Sequence, residues 1–211
     1  VPAKIYKADI IKDMRFEEGI IFEDNPFFVE YLFNCKRIIF CNEYLYNRRI
    51  RSDSITTSNT KNFTDYITVS NMLIDITKRH GLYDRCRGQL YKKILKNMFM
   101  RFMQVDDEYK SDFLAKMKED FLSKKDEYDA DEIFQNGDER LKEIFYKCLD
   151  AETPKEFELY IGLFDTEAKL NEVTEQKRQL NREKASLLHR SHDLSKKLNS
   201  LANENRRLKN K

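Results

Sequence analysis

Apolar positions change their spacing twice along the chain, and each change marks a different kind of structure. Between about Asn62 and Phe164 they recur every three to four residues, the period of a helix with one buried face. Tyr66, Ser70, Leu73 and Thr77 share such a face, with Ile67 and Ile74 beside it, before a break at His80-Gly81. Leu90, Ile94, Met98 and Phe102 follow at intervals of four, flanked by Tyr91, Leu95 and Phe99. Phe113, Leu114, Met117 and Phe121 form a third stripe, and Met103 is expected in the core with Met98 and Phe99. Leu141, Ile144, Phe145 and Cys148 form a fourth after the turn signal Asn136-Gly137-Asp138, and Phe157 and Ile161 continue it beyond Pro154. An array of antiparallel helices over residues 61–164 is predicted, with His80 near a helix C-terminus.

From Asp165 onward the spacing becomes strictly seven, with no Gly or Pro. Val173, Leu180, Leu187, Leu194, Leu201 and Leu208 occupy one heptad position. Taking these as d, the a positions are Leu170, Lys177, Lys184, Ser191, Leu198 and Asn205. Leucine at d with Asn and Lys at a matches a parallel two-stranded coiled coil, in which polar a residues set register at a cost in stability. Residues 165–211 are therefore expected to form a coiled coil. Its partner could be a second copy, another chain, or an antiparallel fold-back.

The first 60 residues follow neither period. Gly19-Ile20-Ile21-Phe22 and Ile38-Ile39-Phe40 read as short strands. Pro26 to Phe33 between them reads as a helix with Pro in its first turn, and Asp24 or Asn25 is placed to cap it. The fold class is thus mainly α, with a short α/β remnant at residues 1–60, a helical array at 61–164 and a coiled coil at 165–211.

Composition narrows this picture. Charged residues make up 36% of the 211, above the usual share of about 25%. The five Gly and three Pro argue for long helices over a turn-rich β fold. A formal charge of +2 gives no electrostatic case for nucleic acid as a partner. The surplus sits in the tail, where Ile161–Lys211 has twelve basic and seven acidic residues. The four cysteines (Cys35, Cys41, Cys86, Cys148) form no C-x-x-C pair, which fits reduced thiols in a cytosol rather than disulfides or zinc. No apolar run reaches the roughly 18 residues of a membrane span.

Candidate chemistry concentrates in two stretches. In Phe16-Glu17-Glu18-Gly19-Ile20-Ile21-Phe22-Glu23-Asp24-Asn25-Pro26-Phe27-Phe28, two adjacent carboxylates meet a helix N-terminus. Backbone donors and the macrodipole there favour an ionised carboxylate, as a general base requires. From spacing alone the commoner role of Asp24 is a helix cap. The second stretch, Tyr44 to Thr56, holds Arg48, Arg49, Arg51, Ser52, Ser54 and Thr56, a set able to grip a diphosphate or simply to form a solvated basic loop. Asp129-Ala130-Asp131 is a literal Asp-x-Asp, read as surface charge because it does not end a strand. His189 and His192 fall three apart on the tail and are expected to face solvent.

In order and spacing these landmarks resemble the C-terminal part of a family-2 glycosyltransferase of GT-A fold. The residues that carry the resemblance are Lys4-Ile5-Tyr6-Lys7, then Phe16, Glu18-Gly19, Glu23-Asp24 and Phe27, then Lys36-Arg37-Ile38, and finally Leu45-Tyr46, Arg49, Arg51 and Ser54-Ile55. They cover roughly the first 60 residues. The resemblance implies inverting transfer of a sugar from a nucleotide-sugar donor to a glycan or polyol hydroxyl. Asp24 would take the acceptor proton, Glu23 would support its loop, and Arg49, Arg51 and Ser54 would steady the leaving diphosphate. It also implies Mg²⁺ or Mn²⁺, with ligands mostly outside this chain, in a donor-binding half that these residues lack. On that expectation the chain is part of a longer catalytic domain and is inactive alone. Work on cell-surface polysaccharide or teichoic-acid-like polymers at the cytoplasmic face of a membrane, with peripheral association and a homo-oligomeric tail, completes the expectation. The competing expectation is a non-enzymatic coiled-coil interaction protein. A leucine-zipper transcription factor is disfavoured, because Asp150–Glu175 is acidic and aromatic where a basic helix would be needed.

Overall fold

The computed structural model of the chain describes residues 3–47 and 60–209. It is mainly helical and falls into two compact units, Val1–Ile161 and Gly162–Lys211. In the first unit, α1 (Ala8–Ile11) and α2 (Asp24–Phe33) lie in the N-terminal segment. A 3-10 turn (Thr60–Thr64) then leads into α3 (Asp65–Arg79), α4 (Tyr83–Gln104), α5 (Asp107–Ala130), α6 (Glu132–Gln135) and α7 (Glu139–Asp150). The last helix, α8, runs from Pro154 to Lys209 without interruption.

The helical stripes become the core. Tyr66, Ser70, Leu73, Ile74 and Thr77 are buried on α3, and Leu90 through Phe102 are buried on α4 at the expected positions. Phe113, Leu114, Met117 and Phe121 on α5, and Ile144, Phe145 and Cys148 on α7, close the same core. Phe157 and Ile161, from the first turns of α8, complete it. Aromatic rings carry much of the contact: Phe121 lies 4.7 Å from Phe145, Phe102 5.0 Å from Phe157, and Tyr128 4.7 Å from Phe134. Each such side chain removed from water contributes on the order of 1.5–3 kcal/mol. Ser70 and Thr77 sit in this core because their hydroxyls donate to carbonyls of their own helix, at 2.7 Å each to Tyr66 and Ile74.

Local chemistry explains the ends. Gly81 takes φ +65°, a left-handed value that lets the chain turn out of α3, and Leu82 N–H returns to Thr77 O at 2.9 Å. His80 is the C-cap residue of α3, as expected. Asp138 caps α7 by accepting from Leu141 N–H at 3.2 Å. Thr153 accepts from Glu156 N–H at 3.2 Å, while the Glu156 carboxylate reaches back past Thr153 to accept from Glu152 N–H at 2.8 Å, and together these bonds fix the start of α8 at Pro154.

Two expectations are corrected. No strand forms among the described residues, at 19–22, 38–40 or elsewhere. A strand needs a neighbour for its backbone donors and acceptors, and Ile38, Ile39 and Phe40 stand exposed with none beside them. Met103 lies on the outer face of α4, 41% exposed, because it falls one position beyond the stripe that ends at Phe102. The N-terminal segment shares one compact unit with the array of α3 to α7.

The second unit is helix alone. Leu170, Val173, Leu180, Leu187, Leu194, Leu198 and Leu201 are all between 58% and 66% exposed, so the described part of the heptad stripe faces solvent. No helix among the described residues is long and apolar enough to cross a membrane.

Candidate functional site

Glu23 and Asp24 stand at the entrance to α2, where the chain makes an unusual turn. Phe22 has φ +68°, a left-handed value that a bulky residue rarely adopts. Packing holds it there. Its ring lies 5.9 Å from Phe63 and 5.8 Å from Tyr66, and the Arg101 guanidinium sits over its face at 4.5 Å. One residue earlier, Ile21 N–H donates to the Asp65 carboxylate at 3.0 Å. The turn that delivers the two carboxylates is therefore clamped by α3 and α4. Phe22 O accepts from both Asn25 N–H (3.0 Å) and Asn25 Nδ2 (3.2 Å), which closes the first turn of the helix.

Neither carboxylate caps the helix. Glu23 occupies the N-cap position in a helical conformation with no side-chain capping bond, and Asp24 is already the first helical residue. Pro26 is buried in the first turn, as expected of a residue without an N–H to satisfy. Asp24 is half-buried, and its Oδ1 accepts from Asn25 Nδ2 at 3.1 Å. It lies at the positive end of the helix dipole.

Around this turn the separate landmarks meet. The Lys4–Lys7 stretch lies along α2: Lys4 Nζ sits 4.5 Å over the Phe28 ring, and Lys7 N–H donates to Tyr31 Oη at 2.8 Å. Tyr6 packs edge-on against Tyr31 at 4.7 Å and Phe27 at 6.1 Å. Phe16 stacks on the other part of this cluster, 4.1 Å from Phe27 with nearly parallel planes. Burial raises the Tyr6 hydroxyl above its ordinary pKa, and the nearby negative charge of Asp24 adds to the rise. The phenol thus stays protonated beside the carboxylate. Phe16, Tyr6 and Phe27 form an aromatic wall next to Asp24, with Phe16 45% exposed.

The far end of α2 is pinned by charge. Glu30 pairs with Arg79 and accepts from His80 Nε2 at 2.8 Å, while Phe33 packs edge-on against the His80 ring at 5.4 Å. Burial works against ionising Glu30, but the bonds from His80 and Arg79 outweigh it and hold the carboxyl below its ordinary pKa.

Arg49, Arg51 and Ser54, the expected diphosphate clamp, lie outside the described residues. Tyr44 and Leu45 stand exposed. A concavity of about 590 Å³ lies between Gly88, Tyr91 and Lys92 on α4 and Ile133, Asp138 and Lys142, and neither Glu23 nor Asp24 lines it. The divalent ion that the resemblance implies has no ligand set here, since no group of three or more His, Cys, Asp or Glu could hold a metal among the described residues.

The Asp-x-Asp sequence has a structural task that its sequence context did not show. Asp131 is not surface charge: its side chain is only 9% exposed and pairs with Arg87 Nε at 2.8 Å. It also accepts from Tyr91 Oη at 2.7 Å and caps α6 by accepting from Ile133 N–H at 2.8 Å. Tyr91 in turn contacts Tyr83 Oη at 2.9 Å, and Tyr83 donates to Glu127 at 2.6 Å. Asp129 remains at the surface, paired with Lys125 and accepting from Tyr146 Oη at 2.7 Å. The partners of Asp131 lie about 40 residues away in sequence, so only the fold reveals them.

No family model matches the chain, and no curated protein or solved structure does so either.

Proposed function

We propose that residues 1–60 carry the acceptor-side part of an inverting glycosyltransferase site, with Asp24 as the base. The observation that carries this reading is the convergence of Lys4-Ile5-Tyr6-Lys7, Phe16 and Glu23-Asp24 on the first turns of α2. A half-buried carboxylate beside an aromatic wall suits a sugar acceptor, whose apolar ring face stacks on aromatic rings while its hydroxyl meets the base. In the reaction the acceptor oxygen forms a bond to the anomeric carbon of the donor. The bond from that carbon to the diphosphate oxygen breaks with its electron pair, and Asp24 receives the acceptor proton. Glu23 supports the turn, and Arg49, Arg51 and Ser54 neutralise the departing diphosphate. The nucleotide and its divalent ion belong to a donor half that this reading assigns to residues outside this chain. A glycan or polyol acceptor, synthesis of a cell-surface polymer, and a place at the cytoplasmic face of the membrane belong to the same proposal.

The test is nucleoside-diphosphate release by the full gene product from a panel of nucleotide-sugars. Asp24→Asn is expected to lower turnover by about 10²–10⁴-fold, the usual contribution of a positioned base. Donor affinity measured by calorimetry should be unchanged. Turnover retained in Asp24→Asn would remove Asp24 from this role.

A second reading is favoured by a separate observation, the exposed leucine stripe of the tail. On this reading residues 162–211 serve self-association. A full gene product that self-associates yet releases no nucleotide from any donor would be an interaction protein rather than an enzyme.

A further inference from the structure

The exposed heptad face of the tail makes a specific demand on whatever covers it. Because α8 is one unbroken helix from Pro154 to Lys209, the tail cannot fold back on itself. A second copy of the chain carries the same stripe and can cover it. Its orientation follows from what each arrangement would bring face to face.

In a parallel, in-register pair each a residue meets its own copy. Lys177 would then face Lys177, and Lys184 would face Lys184 in the next a layer, putting like charges together inside the seam. The flanking positions offer no relief. Glu183 would lie against Leu188 of the second helix, and Arg190 against Ser195.

Reversing one helix changes every layer, because a then meets d. With the centre between Lys184 and Leu187, the described layers are Leu170 on Leu201, Val173 on Leu198, Lys177 on Leu194, Leu180 on Ser191, and Lys184 on Leu187. Apolar residues meet apolar ones at the outer layers. Each seam lysine lays its methylene stem on a leucine and extends its ammonium to solvent. At the flanks Glu183 meets Arg190 of the other copy, twice by symmetry, and the e residues Thr174, Asn181, Leu188 and Ser195 are uncharged. His189 and His192 stay outside the seam, where both are exposed.

We propose that the tail pairs with a second copy of this chain in antiparallel orientation, centred on Lys184 and Leu187. This rests on the self-association reading and replaces the parallel arrangement expected from the leucine repeat. The amino ends of the two paired helices then lie at opposite ends of the seam.

Cysteine crosslinking in the full chain tests it. Leu180→Cys and Ser191→Cys are prepared separately, oxidised alone and as an equimolar mixture, and the linked peptides are identified by mass to separate them from the native cysteines. The expected result is a disulfide between the two introduced thiols in the mixture, joining position 180 of one copy to position 191 of the other, with neither variant linking to itself. A self-linked product from either variant alone shows a parallel pair and overturns the proposal. A dimer by sedimentation without any of these links overturns the register. A monomer at high concentration removes self-association itself, which is a different failure. A charge exchange supplies an independent check: Glu183→Arg should weaken the dimer and the added Arg190→Glu should restore it. In a parallel pair the second change restores nothing.

Discussion

Two parts of this chain use the same residue type to opposite ends. On α3, α4 and α5 the leucines at 73, 90, 95 and 114 are buried within the first unit, while those at 170, 180, 187, 194 and 201 on α8 stand exposed. The difference lies in what surrounds each leucine. The helices of the array mix leucine with Phe, Tyr, Met and Ile, giving a wide apolar face that several neighbours can cover. The tail has a narrow seam of one or two apolar positions per heptad, flanked by charge. A narrow seam can satisfy only one partner helix. Width of the apolar face, rather than hydrophobicity alone, separates the helices that pack into the first unit from the tail, whose leucines stand exposed.

The sharpest way to break that contrast is to place a charge in the seam. Leu187→Asp removes two leucines from each pair of helices, a loss of about 3–6 kcal/mol at 1.5–3 kcal/mol per side chain. Self-association by sedimentation should disappear while thermal unfolding of the first unit is unchanged. The reverse experiment is Phe145→Ala, at a fully buried ring in contact with Phe121, Tyr128 and Phe134. It should cost about 3–5 kcal/mol in urea unfolding of the first unit, because a large cavity is left behind. The tail should still associate.

The smallest effect concerns the pin between α2 and α3. Glu30 has a lowered pKa in the folded chain, so its contribution is present above the unfolded carboxylate value of about 4.3 and is lost as pH falls through the folded value. Glu30→Gln should therefore unfold at lower urea than the parent at pH 7, by less than about 1 kcal/mol given the exposure of Arg79. The difference should shrink as pH falls below the unfolded value of about 4.3 and close once the folded carboxylate is itself protonated. A difference that persists in acid would mean that the carboxylate charge is not what holds α2.

The helical core was legible because a 3.6-residue period states its own buried face. Leu90, Ile94, Met98 and Phe102 needed no knowledge of their neighbours to be placed inside. The candidate site was legible only as an order of residues. That Phe16, Tyr6 and Phe27 would touch beside Asp24 depended on the chain doubling back along α2. That Phe22 would take a left-handed conformation depended on Phe63, Tyr66 and Arg101, more than 40 residues further along. The short strands failed for the converse reason. Ile38-Ile39-Phe40 has the composition of a strand, but a strand is defined by its hydrogen-bonding neighbour and none lies beside it.

By itself, then, the sequence determined the long helices of the array, the break at His80-Gly81, the turn at Asn136-Gly137-Asp138, and the heptad frame of the tail. All of these follow from interactions within a few residues. Tertiary structure alone decided that Asp131 is tied to Arg87 and Tyr91, that Glu30 is held by Arg79 and His80, and that Asp24 enters its helix beside an aromatic wall rather than capping it. Each of those outcomes needs partners distant in sequence, and partner identity is not encoded in spacing. The unbroken length of α8 was open to sequence, since the absence of Gly and Pro beyond Asp165 permits it, while the exposure of its leucines could be read only from the structure.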